Sequence, residues 1–400
     1  MSMHTDALMP TYRRIPVEFV RGEGPWLYDR DGVRYFDALS GIAVCGLGHS
    51  HPAVSAAIRR QAEQLLHVSN LYRIPAQEQL AAALARVSGL DMAFFCNSGA
   101  EANEAAIKLA RRYGHARGID QPSIIVMDGA FHGRTMATLT ASGNRAIQAG
   151  FEPLLKGFVR APFADVAALE TIARNNPNVV AILVEPIQGE SGIRIPPPEY
   201  LPALRALCDR HNWLLMLDEV QTGNGRSGRY FAYQHHDFLP DVVTTAKGLG
   251  NGVPIGACLA TQQAGQLMQP GSHGSTFGGN LLACAAGLAV VNTLERGALA
   301  ERATELGARI RAGLEAELGG ADYVAEIRHQ GLLLAIELKD SCTELPTLAS
   351  TQGLLLNVTA ERVVRLLPPL ILTDSEADEL VQRVVKVLRL YAADERTRPR

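Results

Sequence analysis

The chain alternates between short, continuously apolar runs and longer stretches in which apolar residues recur every three or four positions. The apolar runs are bounded by turn residues and comprise Met92–Cys96, Ser123–Met127, Val179–Val184, Trp213–Leu217, Val242–Thr245 and Ile255–Ala260. Most are separated by stretches of helical periodicity, and Pro52–Leu66 and Ala76–Val87 precede the first. Strands that are apolar on both faces suit a sheet covered on both sides. The alternation therefore predicts an α/β fold with a mostly parallel central sheet.

A different pattern at the two ends of the chain predicts a second, smaller α+β domain. Near the N-terminus, Asp31-Gly32 is a hairpin turn signal between two strand-like runs. Towards the C-terminus, a helix over 298–318 is followed by strand-like runs at 332–337, 353–358 and 363–367. The capping-box pattern Thr373-x-x-Glu376 opens a last helix. We expect residues 1–51 to pack with a small domain over 300–400, and residues 52–299 to form the large domain.

Composition narrows the possible partners of the protein. The 400 residues are 47% hydrophobic and carry a formal charge of −3, and no basic run precedes Arg396–Arg400, which argues against a nucleic-acid partner. The cysteines, at positions 45, 96, 208, 258, 284 and 342, form no C-x-x-C pair, which favours reduced thiols and no metal site. Met1–Pro10 lacks a signal-peptide pattern, and no apolar run reaches the ~18 residues of a membrane helix. We expect a cytoplasmic protein without a membrane partner.

Three polar motifs directly follow apolar strands, where parallel sheets place their ligand sites. Asn97–Glu104 would open a helix, and its small residues would let the backbone approach a phosphate; an ordinary cap at Ser98 is the alternative. Asp218 and Gln221 follow a second strand, as a ligand site or as a helix cap. Lys247 follows a third strand and precedes several glycines. If desolvated there it becomes a nucleophile towards carbonyls, although most loop lysines are surface residues.

Weaker motifs complete a recognisable set. Phe131–Thr135 offers an aromatic plate and the cation Arg134, Gly274–Asn280 offers hydroxyls in a glycine-rich turn, and Arg365 lies among apolar residues. Together with the three strand-end motifs, these are the parts that a pyridoxal phosphate site needs. The glycine-rich helix start would hold the phosphate, Lys247 would join the cofactor's aldehyde, and an acid would keep the pyridine nitrogen protonated.

The sequence also resembles the class III (ornithine-type) aminotransferases over nearly its whole length. Six motifs carry the resemblance in order: Asn97–Asn103, Phe131–Thr135, Glu185–Glu190, Asp218–Gly223, Ala246–Gly248 and Gly274–Asn280. Within this family it is most similar to the enzymes that act on N2-acetylornithine, through Gly41–Val44, Leu47–His49 and the helix 103–110. The resemblance implies the type I fold of pyridoxal phosphate enzymes.

The resemblance also implies a role for each matched residue. Expected cofactor contacts are Ser98, Gly99, Ala100, Phe131, Asp218, Val220, Gln221, Lys247 and Thr276, and expected substrate contacts are Arg134, Ser275, Arg365 and Glu190. Lys247 and Asp218 would be catalytic, and Gln221 would lie near the ring hydroxyl. Glu190 would pair with Arg365 and release it to hold the α-carboxylate of glutamate or 2-oxoglutarate. Thr276 would reach the phosphate in the neighbouring subunit, so that a homodimer with shared sites is needed.

The activity implied is ping-pong transfer of the δ-amino group of N2-acetylornithine to 2-oxoglutarate, as in arginine biosynthesis. Ornithine, succinylornithine and 4-aminobutyrate stay open as donors. An aminomutase or racemase on the same fold and a non-enzymatic binding protein are the alternatives of other classes. Cys45-Gly46 departs from the Asn and small residue common in acetylornithine enzymes, near the distal end of the substrate, which leaves the acyl group open.

Overall fold

The computed structural model describes residues 7–393, so the basic tail Arg396–Arg400 and residues 1–6 lie outside the described part. The strands are β1 (Phe19–Glu23), β2 (Trp26–Asp29), β3 (Arg34–Asp37), β4 (Met92–Cys96), β5 (Ser123–Met127), β6 (Phe158–Ala161), β7 (Val179–Val184), β8 (Leu214–Asp218), β9 (Val242–Thr245), β10 (Gly256–Ala260), β11 (Val324–Gln330), β12 (Leu333–Leu338), β13 (Leu354–Leu355), β14 (Asn357–Thr359) and β15 (Val363–Leu366). The helices are α1 (Ser40–Ala43), α2 (Pro52–Ala62), α3 (Pro75–Ser88), α4 (Gly99–Ala116), α5 (Met136–Ala141), α6 (Arg145–Gln148), α7 (Val166–Asn175), α8 (Tyr200–His211), α9 (Gln262–Gly265), α10 (Leu281–Arg296), α11 (Leu299–Leu318), α12 (Leu345–Thr351) and α13 (Asp374–Ala393). Two short 3₁₀ turns, Ala232–His235 and Lys247–Leu249, complete these elements.

A seven-stranded sheet in the order β4-β10-β9-β8-β7-β5-β6 forms the centre of the molecule. Strands β9, β8, β7, β5 and β6 pair in parallel, whereas β10 is antiparallel to both β9 and β4. The predicted mostly parallel sheet is confirmed, and each apolar run predicted as a strand lies within one residue of an observed strand. The sequence interpretation missed β6 at the edge and the reversed direction of β10.

Both faces of this sheet are covered, which explains why its strands are apolar throughout. Ile125 and Met127 of β5 pack in one buried cluster, and Ile124 and Val126 of the same strand pack in another on the opposite face. Each large apolar side chain buried in this way contributes ~1.5–3 kcal/mol to stability. Because the five parallel strands end at the same edge, the polar residues that follow them meet there.

The chain termini contribute two smaller sheets, ordered β1-β2-β3-β13 and β11-β12-β15-β14. The predicted hairpin is present as β2 and β3, and Trp26 packs edge-on against Phe36 at 4.8 Å. The strand predicted over 353–358 is instead two strands, because Leu354–Leu355 pairs with β3 while Asn357–Thr359 pairs with β15. The chain therefore crosses from one sheet to the other at this point.

The capping box predicted for the last helix is present at the start of α13. The Thr373 hydroxyl accepts from the Glu376 amide at 3.2 Å, and the Glu376 carboxylate accepts from the Thr373 amide at 2.9 Å. Leu380, Val384 and Leu388 follow as the buried face of the helix, as the spacing predicts. A cap of this kind stabilises a helix by about 1 kcal/mol.

A buried arginine connects the large sheet to the C-terminal sheets. The Arg226 guanidinium follows β8 in the chain and donates to the carbonyls of Leu332, at 3.3 Å, and Pro368. Burial lowers the pKa of Arg226 to about 9, although the carboxylate of Asp37 acts in the opposite direction. Arg226 is 2% exposed, so this link is shielded from water.

The cysteines, the helices and the possible metal ligands bear on redox state, membrane contact and metal binding. All six cysteines are free, and burial raises the pKa of the Cys258 and Cys284 thiols to about 12. Within residues 7–393, no helix alone has the length and apolarity needed to cross a bilayer; α10 and α11 reach them only as a pair, across a bend of 66°. No group of three potential metal-ligating side chains lies together in the same part of the chain.

Candidate active site

A cavity of about 420 Å³ opens where the parallel strands end. Nine of the thirteen predicted site residues line it: Ser98, Gly99, Ala100, Phe131, Arg134, Asp218, Val220, Gln221 and Lys247. The other four, Glu190, Arg365, Ser275 and Thr276, lie outside this lining. The volume falls within the ~300–1,000 Å³ of typical small-molecule sites.

The start of helix α4 forms one wall of the cavity. Ser98 caps this helix, since its hydroxyl accepts from the Glu101 amide at 3.2 Å. A β-carbon on Gly99 would lie 2.7 Å from a methyl carbon of Val220, so only glycine lets the two approach this closely. The first-turn amides of an α-helix lack intrahelical acceptors and favour an anion. The cap and the phosphate-site interpretations of Ser98 are therefore compatible.

Asp218 ends β8 inside the cavity and is held by hydrogen bonds on both oxygens. Oδ2 accepts from Asn103 Nδ2 at 2.7 Å and from His132 Nδ1 at 2.8 Å, and Oδ1 accepts from the Val220 amide at 3.1 Å. Only 4% of Asp218 is exposed. A buried carboxylate with these donors can hold the proton-bearing nitrogen of a ligand ring.

Lys247 follows β9 and lines the same cavity. Loss of hydration lowers the pKa of its ammonium. The attraction of Glu190 and Asp218 acts in the opposite direction but does not restore the ordinary pKa. Lys247 also has a φ of 44°, a left-handed conformation that a non-glycine residue rarely adopts. Strain of this kind concentrates at functional sites, where the surrounding structure enforces it. The amine is thus held in a position suited to nucleophilic attack on a carbonyl.

Glu185, which directly follows β7, fixes the backbone at Phe131. Its two oxygens accept from the Phe131 amide at 3.0 Å and from the Gly189 amide at 3.3 Å. Burial, and then the negative charge of Asp218, raise the pKa of Glu185 to about 8 in spite of these donors. Glu185 thereby connects the Phe131 backbone with the loop that carries Glu190.

Glu190 and Arg365 form an ion pair at the side of the cavity. Arg365 is fully buried and donates from Nη1 to Glu190 at 2.7 Å. Burial works against the charge of Glu190, but the nearby Arg365 lowers its pKa. Gln221 contacts both partners, since its Oε1 accepts from Arg365 at 3.3 Å and its Nε2 donates to Glu190 at 3.4 Å.

Arg134, Ser275 and Thr276 lie nearer the surface. Arg134 is exposed, lies 5.6 Å from the Phe131 ring centre, and forms no ion pair within residues 7–393. The Ser275 hydroxyl accepts from Asn97 Nδ2 at 3.3 Å, next to the cavity. Thr276 is exposed and away from the cavity of its own chain.

The cavity is also lined by residues that were not among the predicted site residues, including Val44, Asn103, His132 and Glu185. Asn103, His132 and Glu185 lie within the matched motifs, so the motifs located them without indicating a role. Glu185 also follows a buried strand directly, which is the signal that identified Asp218 and Lys247. Val44 ends the segment Gly41–Val44, which contributed to the resemblance without indicating a contact with the cavity.

These residues fit pyridoxal phosphate. Helix α4 presents amides suited to a phosphate, Asp218 faces the cavity with a buried carboxylate, and the amine of Lys247 has a lowered pKa. A β-carbon at Gly99 would collide with Val220, so glycine is needed where the helix start meets the cavity. On an α/β sheet with a smaller α+β part, this set defines a pyridoxal phosphate-dependent aminotransferase of fold type I.

Comparisons with known proteins agree with this class of enzyme. The model of the family Aminotransferase class-III matches residues 8–388, and the chain belongs to this family. The acetylornithine aminotransferase of Nitrosomonas europaea is 55% identical over 96% of this chain and 98% of its own length. The ornithine aminotransferase of Toxoplasma gondii has a crystal structure with a TM-score of 0.93 at 36% identity, covering 97% of this chain and 94% of that one. For the acetylornithine aminotransferase of Elizabethkingia anophelis, the TM-score is 0.87 at 36% identity, with 96% of each chain covered. The family predicted from the motifs is confirmed.

Proposed function

We propose that the protein transfers the δ-amino group of N2-acetylornithine to 2-oxoglutarate. The products would be N-acetylglutamate 5-semialdehyde and glutamate, and the reaction would serve arginine biosynthesis. The full-length similarity to enzymes named acetylornithine aminotransferase supports this choice of donor.

The proposal is carried by a difference between two arginines: Arg365 is paired with a carboxylate and, among the described residues, Arg134 is not. Arg134 is exposed at the mouth of the cavity without an ion pair in the described chain, so it is available to a carboxylate far from the reacting carbon. Arg365 lies deeper and is neutralised by Glu190. This arrangement suits a donor whose reacting carbon bears no carboxylate. Glutamate and 2-oxoglutarate carry one there, and Glu190 would have to release Arg365 for them.

Lys247 would be the group that moves the proton. When bound, pyridoxal phosphate supplies an aldehyde carbon and an electron-accepting ring. The Lys247 amine would remove a proton from the substrate carbon that bears the reacting nitrogen. The lowered pKa of Lys247 favours the unprotonated form of this amine, compared with a lysine in water.

The remaining cavity residues would bind and orient. The amides of Gly99 and Ala100, with Ser98 as the cap, would hold the phosphate at the start of α4. Asp218 would bind the ring nitrogen, with Phe131 and Val220 on the two faces of the ring and Gln221 near its hydroxyl. Ser275 would contact the substrate at the edge of the cavity.

A homodimer with shared sites is part of the proposal. Leu71, Tyr72 and Phe277 are 86%, 67% and 59% exposed, and a second copy of the chain would cover such an apolar surface. Asn70 holds the carbonyls of Ser275 and Gly278 at 3.1 Å, which fixes the loop that carries Thr276. From this loop Thr276 would reach the phosphate site of the partner.

The division of the chain and its location remain proposals as well. We propose a large domain over residues 52–299 and a small one over 300–400, with residues 1–51 packed against the latter. The pairing of β3 with β13 supports the last point. We further propose a cytoplasmic location, which six unpaired cysteines favour.

A panel of amino donors tests the reaction. The purified enzyme with 2-oxoglutarate should give its highest kcat/KM with N2-acetylornithine, compared with ornithine, N2-succinylornithine and 4-aminobutyrate, and one glutamate per aldehyde. Ornithine is the second candidate, because the solved ornithine aminotransferase structure superposes with a TM-score of 0.93. A higher kcat/KM with another donor would replace acetylornithine, and turnover without 2-oxoglutarate would indicate a mutase or racemase.

A further inference from the structure

Three buried side chains around Asp218 form a hydrogen-bonded group with it. Asn103 and His132 are 1% and 2% exposed, and both donate to the same carboxylate oxygen, Oδ2 of Asp218. Thr244, which lies opposite Asp218 in the pairing of β8 with β9, donates to Asn103 Oδ1 at 2.7 Å. All of these groups lie within or directly behind the cavity.

The partners of each group fix which atoms donate. The His132 carbonyl can only accept, and it lies 2.8 Å from Asn103 Nδ2, so the amide nitrogen of Asn103 faces both this carbonyl and Asp218. The carboxylate also can only accept while it is ionised, so Nδ1 of His132 carries the hydrogen between them. Asp218 Oδ2 thus receives two N–H bonds that a protonated Oδ2 would weaken.

The consequence concerns the single proton that Asp218 and a ring nitrogen would share. This proton can bond to the nitrogen, leaving a carboxylate, or to an Asp218 oxygen, leaving a neutral ring. Hydrogen bonds donated to the charged form of an acid favour that form. We propose that Asn103 and His132 are positioning residues that keep this proton on the ring nitrogen of the cofactor rather than on Asp218.

The inference rests on the proposed binding of the ring nitrogen by Asp218, whose Oδ2 both Asn103 and His132 contact. Without the two donors, the shared proton would be held less firmly on the ring nitrogen. The ring would then accept electrons less readily, although the cofactor would still be bound. Activity and cofactor binding should therefore separate in variants of these residues.

The test reads the proton directly. The enzyme is loaded with pyridoxal phosphate labelled with ¹⁵N in the ring, and the ¹⁵N chemical shift is measured at neutral pH without substrate. His132→Leu and Asn103→Leu should move the shift towards that of an unprotonated ring. His132→Asn restores an N–H near the position of Nδ1 and should stay close to wild type. In the Leu variants kcat should fall about 10-fold or more, while the Michaelis constant measured with 2-oxoglutarate changes little.

Thr244 contacts Asn103 rather than Asp218, and two of its variants form a matched pair. Thr244→Val removes the hydroxyl that orients Asn103 and should shift the ¹⁵N signal in the same direction by a smaller amount, while Thr244→Ser should not. The ³¹P signal of the bound phosphate and the melting temperature report cofactor binding and folding. If His132→Leu does not fold, Asn103→Leu and the Thr244 pair carry the test.

Asp218→Asn separates the two possible failures. If this variant changes the ¹⁵N shift but the Leu variants keep the wild-type shift and kcat, the role given to Asn103 and His132 is overturned. If Asp218→Asn itself keeps the wild-type shift, the proposed contact of Asp218 with the ring nitrogen is wrong. The choice of amino donor affects neither result, since no substrate is present.

Discussion

Lys247 combines a strained backbone with an amine whose pKa is lowered by burial. Its positive φ and its lowered pKa arise from the same placement, directly after β9 and inside the cavity. The side chain thus has a position, and a pKa shifted in the direction, that nucleophilic and general-base roles require. Lysines on the surface have neither constraint.

Lys247→Ala should abolish attachment of the cofactor and lower kcat by about 10³-fold or more, since a positioned base is lost. Borohydride treatment followed by peptide mass spectrometry would check the attachment, because reduction fixes the cofactor to residue 247 in the wild type. Lys386→Ala, an exposed lysine on α13, is the matched control and should leave labelling and kcat unchanged. Label retained elsewhere in Lys247→Ala would contradict the assignment.

His49 offers a pH-dependent contribution to stability outside the cavity. Burial opposes its charge, but the hydrogen bond to Asp37, 2.8 Å away, raises the pKa of His49 to about 9. The stabilisation should be fully present below about pH 6.5 and disappear as the pH rises through 9. Asp37 also accepts from the amides of Leu39 and Ser40, so the pair secures the turn that leads to Val44.

His49→Gln should therefore lower the free energy of unfolding by about 2 kcal/mol at pH 6, allowing for partial solvent screening, and by much less near pH 10. Urea titrations of both proteins across this range would measure the difference. His211→Gln is a suitable control, because this histidine stacks on Trp213 and forms no ion pair within the described residues. A His49→Gln deficit that stays constant with pH would contradict the charged pair.

The contacts of single residues were also the hardest to predict. Asn103 and His132 lie 115 and 86 positions from Asp218 along the chain, so no local pattern indicates that they bond to it. The motifs that contain them identified the cavity, because strand ends and residue types are local properties. Which side chains meet across it depends on the relative placement of α4, β5 and β8.

At the scale of elements, the start of α4 has a requirement that can be tested. Gly99→Ala places a methyl group 2.7 Å from a Val220 methyl carbon, and relief of such overpacking costs about 1–3 kcal/mol. We expect affinity for pyridoxal phosphate to fall about tenfold, by equilibrium titration of cofactor-free enzyme. Gly320→Ala, where an added β-carbon meets no atom within 4 Å, should bind the cofactor as the wild type does. Unchanged affinity in Gly99→Ala would mean that Val220 yields without affecting the site.

The elements differ in how far sequence predicts them. Continuously apolar strands such as β7 were located within a residue, because burial on both faces leaves an unbroken apolar run. Strand β11 was missed, since none of its residues is fully buried and polar residues such as Glu326 and Arg328 interrupt its apolar ones. The reversal of β10 follows from its short connection to β9, residues 246–255, which is too short for the crossover that parallel strands need.

At the scale of the whole molecule, the proposed homodimer predicts that subunits can complement each other. Each site would use Lys247 of one chain and Thr276 of the other. Lys247→Ala and Thr276→Asp should each be nearly inactive, the second because its charge repels the phosphate. After the two are unfolded and refolded together, about a quarter of wild-type activity should return, since half of the dimers then hold one intact site.

A second mixture, Lys386→Ala refolded with Thr276→Asp, is the reference for this experiment. In its mixed dimers both chains have Lys247 and one chain has an intact Thr276. The mass of each sample in solution shows whether dimers have formed. If mixed Lys247→Ala and Thr276→Asp dimers stay inactive, Thr276 does not act across the interface.

The buried guanidinium of Arg226 limits how the molecule can open. Its bonds to Leu332 and Pro368 join the segment after β8 to the strands of the C-terminal region, away from water that could replace a broken bond. A hinge swing of one half of the molecule away from the other would break both of these bonds to a buried cation. Substrate admission should therefore depend on local movement of surface loops around a rigid frame, and the enzyme should keep nearly the same outline whether or not substrate is bound.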